Sequence, residues 1–237
     1  MSGRGPLDAA FASPDSKRRY VGQLFHTIAG RYDLITELLS FGLDRRWKAR
    51  TVGLARPVEG RLALDLACGT GDLAFALADD GARVVGLDLT ARMVELARRR
   101  RRDVRFVVGD MGALPFPSAS VDIVTTGYGL RNVPDLPSAI REIHRVLLPG
   151  GTFVSLDFNR PSNPVVRSIY LGYLWIAGSA LGWGLHRDPD TYRYIPASIR
   201  RYPGAAGVVA LLRDAGFAQA AWTPVLGGLM AIHVARR

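Results

Sequence analysis

Apolar residues in this chain fall into two patterns that take turns along the sequence, and their order predicts an α/β fold. The run Leu62-Ala63-Leu64-Asp65-Leu66-Ala67 is nearly continuous, as in a strand covered on both faces. The turn Cys68-Gly69-Thr70-Gly71-Asp72 divides it from a helical pattern over residues 73–78. Further strands are predicted at 83–87, 104–108, 121–126 and 152–157, with helices at 91–97 and 136–148. Pro149-Gly150-Gly151 reads as the stop signal of the second helix, handing over to the fifth strand. A last helix over 205–215 and two closing strands around 220–225 and 229–234 complete a doubly wound, mostly parallel sheet.

Residues 17–52 are helical in pattern, with Val21, Leu24, Phe25 and Ile28 at core spacing, then Leu34, Ile35, Leu38 and Leu39. The polar break Gly30-Arg31-Tyr32-Asp33 between them leaves two readings: helices that only cap the sheet, or a corner presenting Arg31, Tyr32 and Asp33 to a substrate. Residues 1–16, rich in Gly, Ala, Ser and Pro, read as a disordered lead-in to one domain over 17–237. Within it, 17–56 form N-terminal helices and 158–203 form a lid inserted after the fifth strand, where the alternation lapses. The eighteen residues 168–185 carry no charge. That just reaches the length of a membrane span, but four glycines and the α/β setting argue for a wall of a greasy pocket or a membrane-surface contact.

The chemistry gathers at the strand ends. Gly69 and Gly71 remove Cβ atoms that would keep a ligand off the backbone, and the helix start behind them offers free N–H groups. Asp88, ending the second strand, is placed to accept from both hydroxyls of a ribose. Asp110 and Met111, after the third strand, lie where a purine would sit: the acid accepts from an exocyclic amine and the thioether packs on the ring. An ordinary turn cap is the other reading of Asp110. Gly127-Tyr128-Gly129-Leu130-Arg131-Asn132-Val133 follows the fourth strand, and its glycines permit another close approach, while Arg131 has the alternative of pairing with a nearby carboxylate. Gly69-Thr70-Gly71-Asp72-Leu73-Ala74 satisfies G-x-G-x-x-A, so the turn alone leaves nicotinamide and adenosylmethionine enzymes both open.

The formal charge is +10 over 237 residues, and Lys17 and Lys48 are the only lysines, so the basicity is arginine and favours anionic surfaces. Arg98 to Arg102, the densest cluster, read as solvated cations at a helix C-terminus. No aromatic residues interleave with the arginines, so no nucleic-acid partner is expected. The lone Cys68 excludes a disulfide framework and reads as a small packed residue; no metal site is expected.

Taken together, these residues resemble the class I methyltransferases that use S-adenosylmethionine, and more narrowly the menaquinone and ubiquinone biosynthesis C-methyltransferase family. The resemblance runs from Val21-Gly22-Gln23-Leu24-Phe25-His26 and Gly30-Arg31-Tyr32-Asp33 through Ser40-Phe41-Gly42-Leu43, Leu64-Asp65-Leu66-Ala67-Cys68-Gly69-Thr70-Gly71-Asp72 and Ala113-Leu114-Pro115-Phe116-Pro117. It continues in Gly129-Leu130-Arg131-Asn132-Val133, Arg145-Val146-Leu147-Leu148-Pro149-Gly150-Gly151 and Tyr192-Arg193-Tyr194-Ile195. Tyr128 stands where the family has Phe, and Ser179 where it usually has Pro.

The resemblance implies a Rossmann-like, seven-stranded class I fold. It implies S-adenosylmethionine as cofactor, held by Thr70, Asp88, Asp110, Met111 and Gly127, with Asp65, Gly69 and Gly71 shaping the turn. It implies C-methylation of a prenylated hydroquinone, demethylmenaquinol by preference, with the benzoquinol of ubiquinone synthesis or another apolar small molecule as the alternative acceptor. Arg131 and Asn132 face the quinol in this reading, with Tyr32 as a further catalytic candidate and Asp33, His26 and His233 in reserve. A cytoplasmic protein touching the inner face of the membrane is expected, and a homodimer is compatible. The rivals are a nicotinamide dehydrogenase and a membrane- or RNA-binding module on an inactive methyltransferase fold.

Overall fold

The computed structural model describes residues 6–40 and 42–237. Residues 1–5 of the expected lead-in, and Phe41 of the Ser40-Phe41-Gly42-Leu43 motif, lie outside the described residues. Four helices come first: α1 (Pro6–Ala10), α2 (Pro14–Ile28), α3 (Tyr32–Leu39) and α4 (Asp44–Ala55). The alternating body follows as β1 (Leu62–Leu66), α5 (Asp72–Asp79), β2 (Arg83–Asp88), α6 (Ala91–Arg100), β3 (Arg105–Val108), β4 (Val121–Gly127), α7 (Leu136–Val146) and β5 (Leu147–Phe158). Then come α8 (Pro164–His186), α9 (Asp190–Arg201), α10 (Gly204–Asp214), β6 (Gln219–Val225) and β7 (Met230–Arg236).

All seven strands join one sheet in the order β3-β2-β1-β4-β5-β7-β6, with β7 antiparallel to both neighbours and the others parallel. The expected Rossmann-like sheet is therefore present. The chain leaves β1 towards one edge and returns at β4 on its other side, which opens a crevice at the carboxyl ends of these two strands. Side chains divide between two cores with a period of two: Ala63 and Ile123 face one with Phe75, Phe106 and Val154, while Leu64 and Val124 face the other with Ile140, Ile143 and Phe153.

Two local readings are corrected. The lead-in carries the short helix α1 and, after a turn at 11–13, the start of α2: Ser13 caps α2 by accepting from the Ser16 N–H at 3.1 Å, Pro14 opens the helix, and Phe11 stacks on Tyr194 at 5.7 Å. The same small residues that suggested disorder are a helix start. Pro149-Gly150-Gly151, in turn, lies inside β5 rather than before it. α7 ends at Val146, and the register jumps from Val121↔Leu147 to Ile123↔Thr152, so the three residues form an irregularity in the strand. Their backbone is satisfied by the chain end: the Gly150 N–H donates to the Arg237 carbonyl at 2.8 Å and the Arg237 N–H to Gly151 at 3.0 Å.

Candidate functional site

The crevice holds a small polar pocket walled by Asp65, Ala67, Cys68, Thr70, Asp72, Gly127, Lys48, Tyr32 and Tyr128. Its floor is the glycine turn. Gly71 has φ +97°, and a Cβ there would lie 2.7 Å from Phe75 Cζ and 3.1 Å from Phe106 Cζ, so only glycine fits between the turn and the core. The Gly69 N–H donates to Asp88 Oδ2 at 2.9 Å and the Thr90 N–H to Oδ1 at 2.8 Å. Asp88 is thereby fixed at the end of β2, with lone pairs left over for a ligand; burial raises its carboxyl, and the two N–H donors oppose that.

Asp65 is 1% exposed, and its Oδ1 accepts from the Thr125 hydroxyl at 2.8 Å. Its Oδ2 has no hydrogen-bond partner among the described residues. Burial pushes this carboxyl up to about 7, against the pull of the Thr125 hydrogen bond and the Lys48 charge. An unpaired, buried carboxylate oxygen on a polar pocket is a seat for a cation.

Beyond β3, Asp110 Oδ1 accepts from the Gly112 N–H at 2.8 Å, the turn-cap arrangement, while Oδ2 pairs with Arg18 of α2 at 2.7 Å. Met111 is buried beside it in the core. Thr70 donates to Asp33 at 2.6 Å, and Arg100 bridges Asp33 (3.3 Å), Asp72 (2.9 Å) and the Thr70 carbonyl (3.1 Å). The arginine cluster is thus not simply solvated: Arg100 ties the N-terminal helices to the turn, and both Arg100 and Arg101 lie over the Phe75 ring.

Tyr32 and Tyr128 wall this pocket on one side and an apolar cavity of about 130 Å³ on the other. The cavity is lined by Leu24, Phe25 and Ile28 of α2, Ile35 of α3, Tyr170 and Leu174 of α8, Tyr192, Tyr194 and Ile195 of α9, and Leu229. The insertion therefore roofs a space whose floor is the N-terminal helices, and Arg31 fastens the two by donating to the Leu185 carbonyl. Of the polar break, Tyr32 faces the cavity and Asp33 the glycine turn. Burial pushes the Tyr32 phenol up to about 12, with the Lys48 and Arg131 charges opposing, so it stays protonated at neutral pH.

Arg131 also lines the cavity and is 7% exposed. The anticipated carboxylate partner exists: Arg131 Nε is 3.3 Å from Asp157 Oδ1, and its main-chain N–H donates to Oδ2 at 3.2 Å. Its Nη1 donates to Asn132 Oδ1 (3.0 Å) and Ser198 Oγ (3.1 Å), and the guanidinium lies 4.8 Å from the Phe158 ring centroid. Asn132 is not on the cavity wall: its amide donates to the Tyr128 carbonyl at 2.8 Å, so its side chain holds the loop and Arg131. His26 is exposed, and His233 is sealed between Ser155 and the Ala205 carbonyl; neither lines the cavity or the pocket.

Sequence reasoning passed over Lys48, Asp44 and Asp157. Lys48 joins Asp44 (2.6 Å) to Asp72 (2.8 Å), and Tyr128, at a positive φ of 60°, donates its hydroxyl to Asp44 at 2.6 Å. One of only two lysines, four residues after an aspartate in a chain whose other strong bases are arginines, was the available signal. Asp157, at a strand end like Asp88, gave a weaker one.

A seven-stranded sheet of this order, with a glycine turn after β1 and acids at the ends of β1 and β2, defines a class I methyltransferase fold. Solved structures agree in fold: a SAM-dependent methyltransferase from Thermotoga maritima has a TM-score of 0.64 at 20% identity over 91% of this chain and 99% of that one. An S-adenosylmethionine-dependent methyltransferase from Mesorhizobium loti gives 0.57 at 23% identity, over 79% and 96%. Within that class, the ubiE/COQ5 methyltransferase family model matches residues 13–237, and the chain belongs to that family. Curated relatives include a demethylmenaquinone methyltransferase of Beutenbergia cavernae, 38% identical over 95% of this chain and 94% of that protein. A ubiquinone/menaquinone biosynthesis C-methyltransferase of a Shewanella species is 36% identical over 92% and 91%.

Proposed function

We propose that the protein transfers a methyl group from S-adenosylmethionine to a ring carbon of a prenylated hydroquinone held in the apolar cavity, demethylmenaquinol being the favoured acceptor. The observation that carries this reading is the shared wall. Tyr32 and Tyr128 border both the polar pocket and the apolar cavity, so a polar methyl donor and a greasy acceptor meet across them. The acceptor comes from a bilayer, and the protein works from the cytoplasm at the membrane's inner face.

The residues present fit the donor. Asp65 Oδ2 is an unpaired buried acceptor for the α-ammonium, Asp88 has lone pairs for ribose hydroxyls, and Gly69 leaves bare backbone on the Tyr32 side of the turn, whereas Gly71, contrary to the sequence expectation, is glycine because a Cβ would strike Phe75 and Phe106 of the core. A Cβ on Gly127 would lie 3.0 Å from Leu73, which keeps the end of β4 flat beside the pocket. Thr70 and Met111 complete the holding set, and Asp110 takes the adenine amine. S-adenosylmethionine supplies an electrophilic methyl on a sulfonium, so the protein's task is alignment and activation of the ring carbon.

Arg131 does the second. Its guanidinium cation faces the cavity and stabilises the phenolate formed when a neighbouring ring hydroxyl gives its proton to water. Tyr32, protonated, donates to that oxygen rather than taking its proton; once the methyl is on the ring carbon, that carbon's own hydrogen leaves to water as a proton and the aromatic hydroquinone is restored. Asp157 and Ser198 hold the guanidinium in place, and Asn132 acts through Arg131 as a positioning residue. Tyr194, which lines the cavity and whose buried hydroxyl has no partner among the described residues, can serve the second ring oxygen.

Filling the cavity tests the acceptor site. Ile195→Trp should raise the quinol KM at least about tenfold, in line with the cost of overpacking a formed cavity, with donor affinity by calorimetry unchanged. Full turnover at the wild-type KM would place the acceptor elsewhere. The Arg18–Asp110 pair must open for Asp110 to take an amine, and exposed pairs are worth up to about 1 kcal/mol. Arg18→Ala should therefore tighten donor binding about two- to fivefold; weaker binding would remove Asp110 from the adenine site.

A further inference from the structure

The lid helix α8 has two apolar faces, and only one is used. Tyr170, Leu171, Leu174, Gly178 and Gly182 are buried. Gly178 and Gly182 are there because the backbone of the α9 segment passes close: a Cβ on Gly182 would lie 2.4 Å from the Asp188 carbonyl oxygen, and one on Gly178 3.2 Å from that of Tyr192. The other face carries Val165, Ile169, Ile176 and Trp183, which are 65%, 70%, 66% and 69% exposed. Their spacing of four, seven and seven residues puts them in one stripe along the helix. With 23 residues, α8 is about 34 Å long at about 1.5 Å per residue.

A helix of this composition is long enough to cross a bilayer, but its glycine face is locked to α9, and crossing would strip it from the fold. It is built to lie along a surface. Beside the stripe, Arg160, Arg167 and Arg200 line an open groove together with Ser168, Leu171 and Gly172 of α8. Arg160 and Arg167 donate to main-chain carbonyls, those of Arg200 and Tyr202 and that of Pro161 respectively, so these hydrogen bonds leave their charges unneutralised.

We propose that the outer face of α8 and this arginine groove form one docking surface for an anionic phospholipid bilayer, with Ile169, Ile176 and Trp183 in the headgroup–acyl boundary and the three arginines on lipid phosphates. This rests on the reading of the acceptor as a molecule delivered from a bilayer. It adds the site, the orientation and the lipid charge. An apolar stripe flanked by cations matches anionic lipid, whereas RNA would have no use for the stripe. Because Tyr170 and Leu174 of the same helix line the cavity, docking here sets the cavity roof against the lipid, where a prenyl tail is already dissolved.

The test is cosedimentation of the full-length protein with phosphatidylcholine vesicles, with and without phosphatidylglycerol, and quenching of Trp183 by brominated lipid, with Trp183→Phe as control. Binding should require phosphatidylglycerol and should quench Trp183. Arg160→Glu/Arg167→Glu/Arg200→Glu should weaken it about a hundredfold, on the basis of about 1 kcal/mol per basic residue. Ile169→Asp/Ile176→Asp, at exposed positions that leave the core intact, should weaken it as well. Both variants should methylate a short-tailed, water-soluble quinol as wild type does. Equal binding to uncharged vesicles, absence of quenching, or indifference to both variants would overturn the proposal. So would salt-sensitive RNA binding, or a dimer broken by Ile176→Asp, with no vesicle binding. Vesicle binding without methylation of any quinol would instead strike the substrate reading and leave the docking surface standing.

Discussion

Arg131→Ala should destabilise the fold by about 3–5 kcal/mol, because it strands the Asp157 carboxylate, which is fully buried and loses its only cationic side-chain partner among the described residues. The loss is measured by denaturant unfolding. Arg131→Lys separates the chemistry from this structural cost. Lysine keeps a positive charge near Asp157 but has no planar fork to reach Asn132 and Ser198 while facing the cavity. Its turnover should fall about a hundredfold, the cost of misplacing one charge-stabilising group. The calorimetric affinity for S-adenosylmethionine should stay within about twofold of wild type. A lysine variant with full turnover would reduce Arg131 to a structural ion pair.

The second large effect is at Asp65. Its folded carboxyl titrates at about 7 because burial opposes ionisation. An arriving ammonium needs the ionised form, so donor binding must release a proton below that pH. Affinity should weaken up to about tenfold for each unit that pH falls below 7, and be greatest between about 7 and 8, where the carboxyl is ionised and an α-ammonium still holds its proton. Asp65→Asn should lower affinity at pH 7.5 at least about tenfold, as expected for loss of a charge-assisted hydrogen bond, and should remove the dependence below pH 7. Calorimetry between pH 5.5 and 8 reads both. If the asparagine variant kept the wild-type slope, the titrating group would lie elsewhere.

The parts of the molecule that were legible in the sequence share a cause. β1, the glycine turn and α5 are contiguous, and Asp88 and Asp110 stand at strand ends, where a doubly wound sheet always brings its ligand side. Buried strands also advertise themselves through unbroken apolar runs. What was misread lay where one composition serves two structures: Ser13 and Pro14 are as common in a loose tail as in a helix cap, and Pro149-Gly150-Gly151 stops a helix as readily as it kinks a strand.

What was invisible depends on contacts far apart in the chain. The cavity needs α2 packed against α8 and α9, more than 140 residues later, and no local periodicity encodes that pairing. The same holds for the Lys48 bridge and the Arg18–Asp110 contact, each of which joins separate elements; for Arg131 a carboxylate partner was expected, but not that it would be Asp157. Asn132 shows what a shared motif leaves out: its side chain donates to the Tyr128 carbonyl and accepts from Arg131, a holding role for the loop that no sequence pattern displays.

In the proposed reaction a prenylated quinol in the apolar cavity is methylated on carbon by S-adenosylmethionine bound at the glycine turn. The direct measurement is transfer of a labelled methyl group to reduced demethylmenaquinol and, separately, to the reduced benzoquinol precursor of ubiquinone, each in detergent, with the product identified by mass. A C-methylated naphthoquinol should form with wild type and be suppressed by Ile195→Trp. Donor binding at the glycine turn with no methyl transfer to either quinol would contradict the proposed reaction.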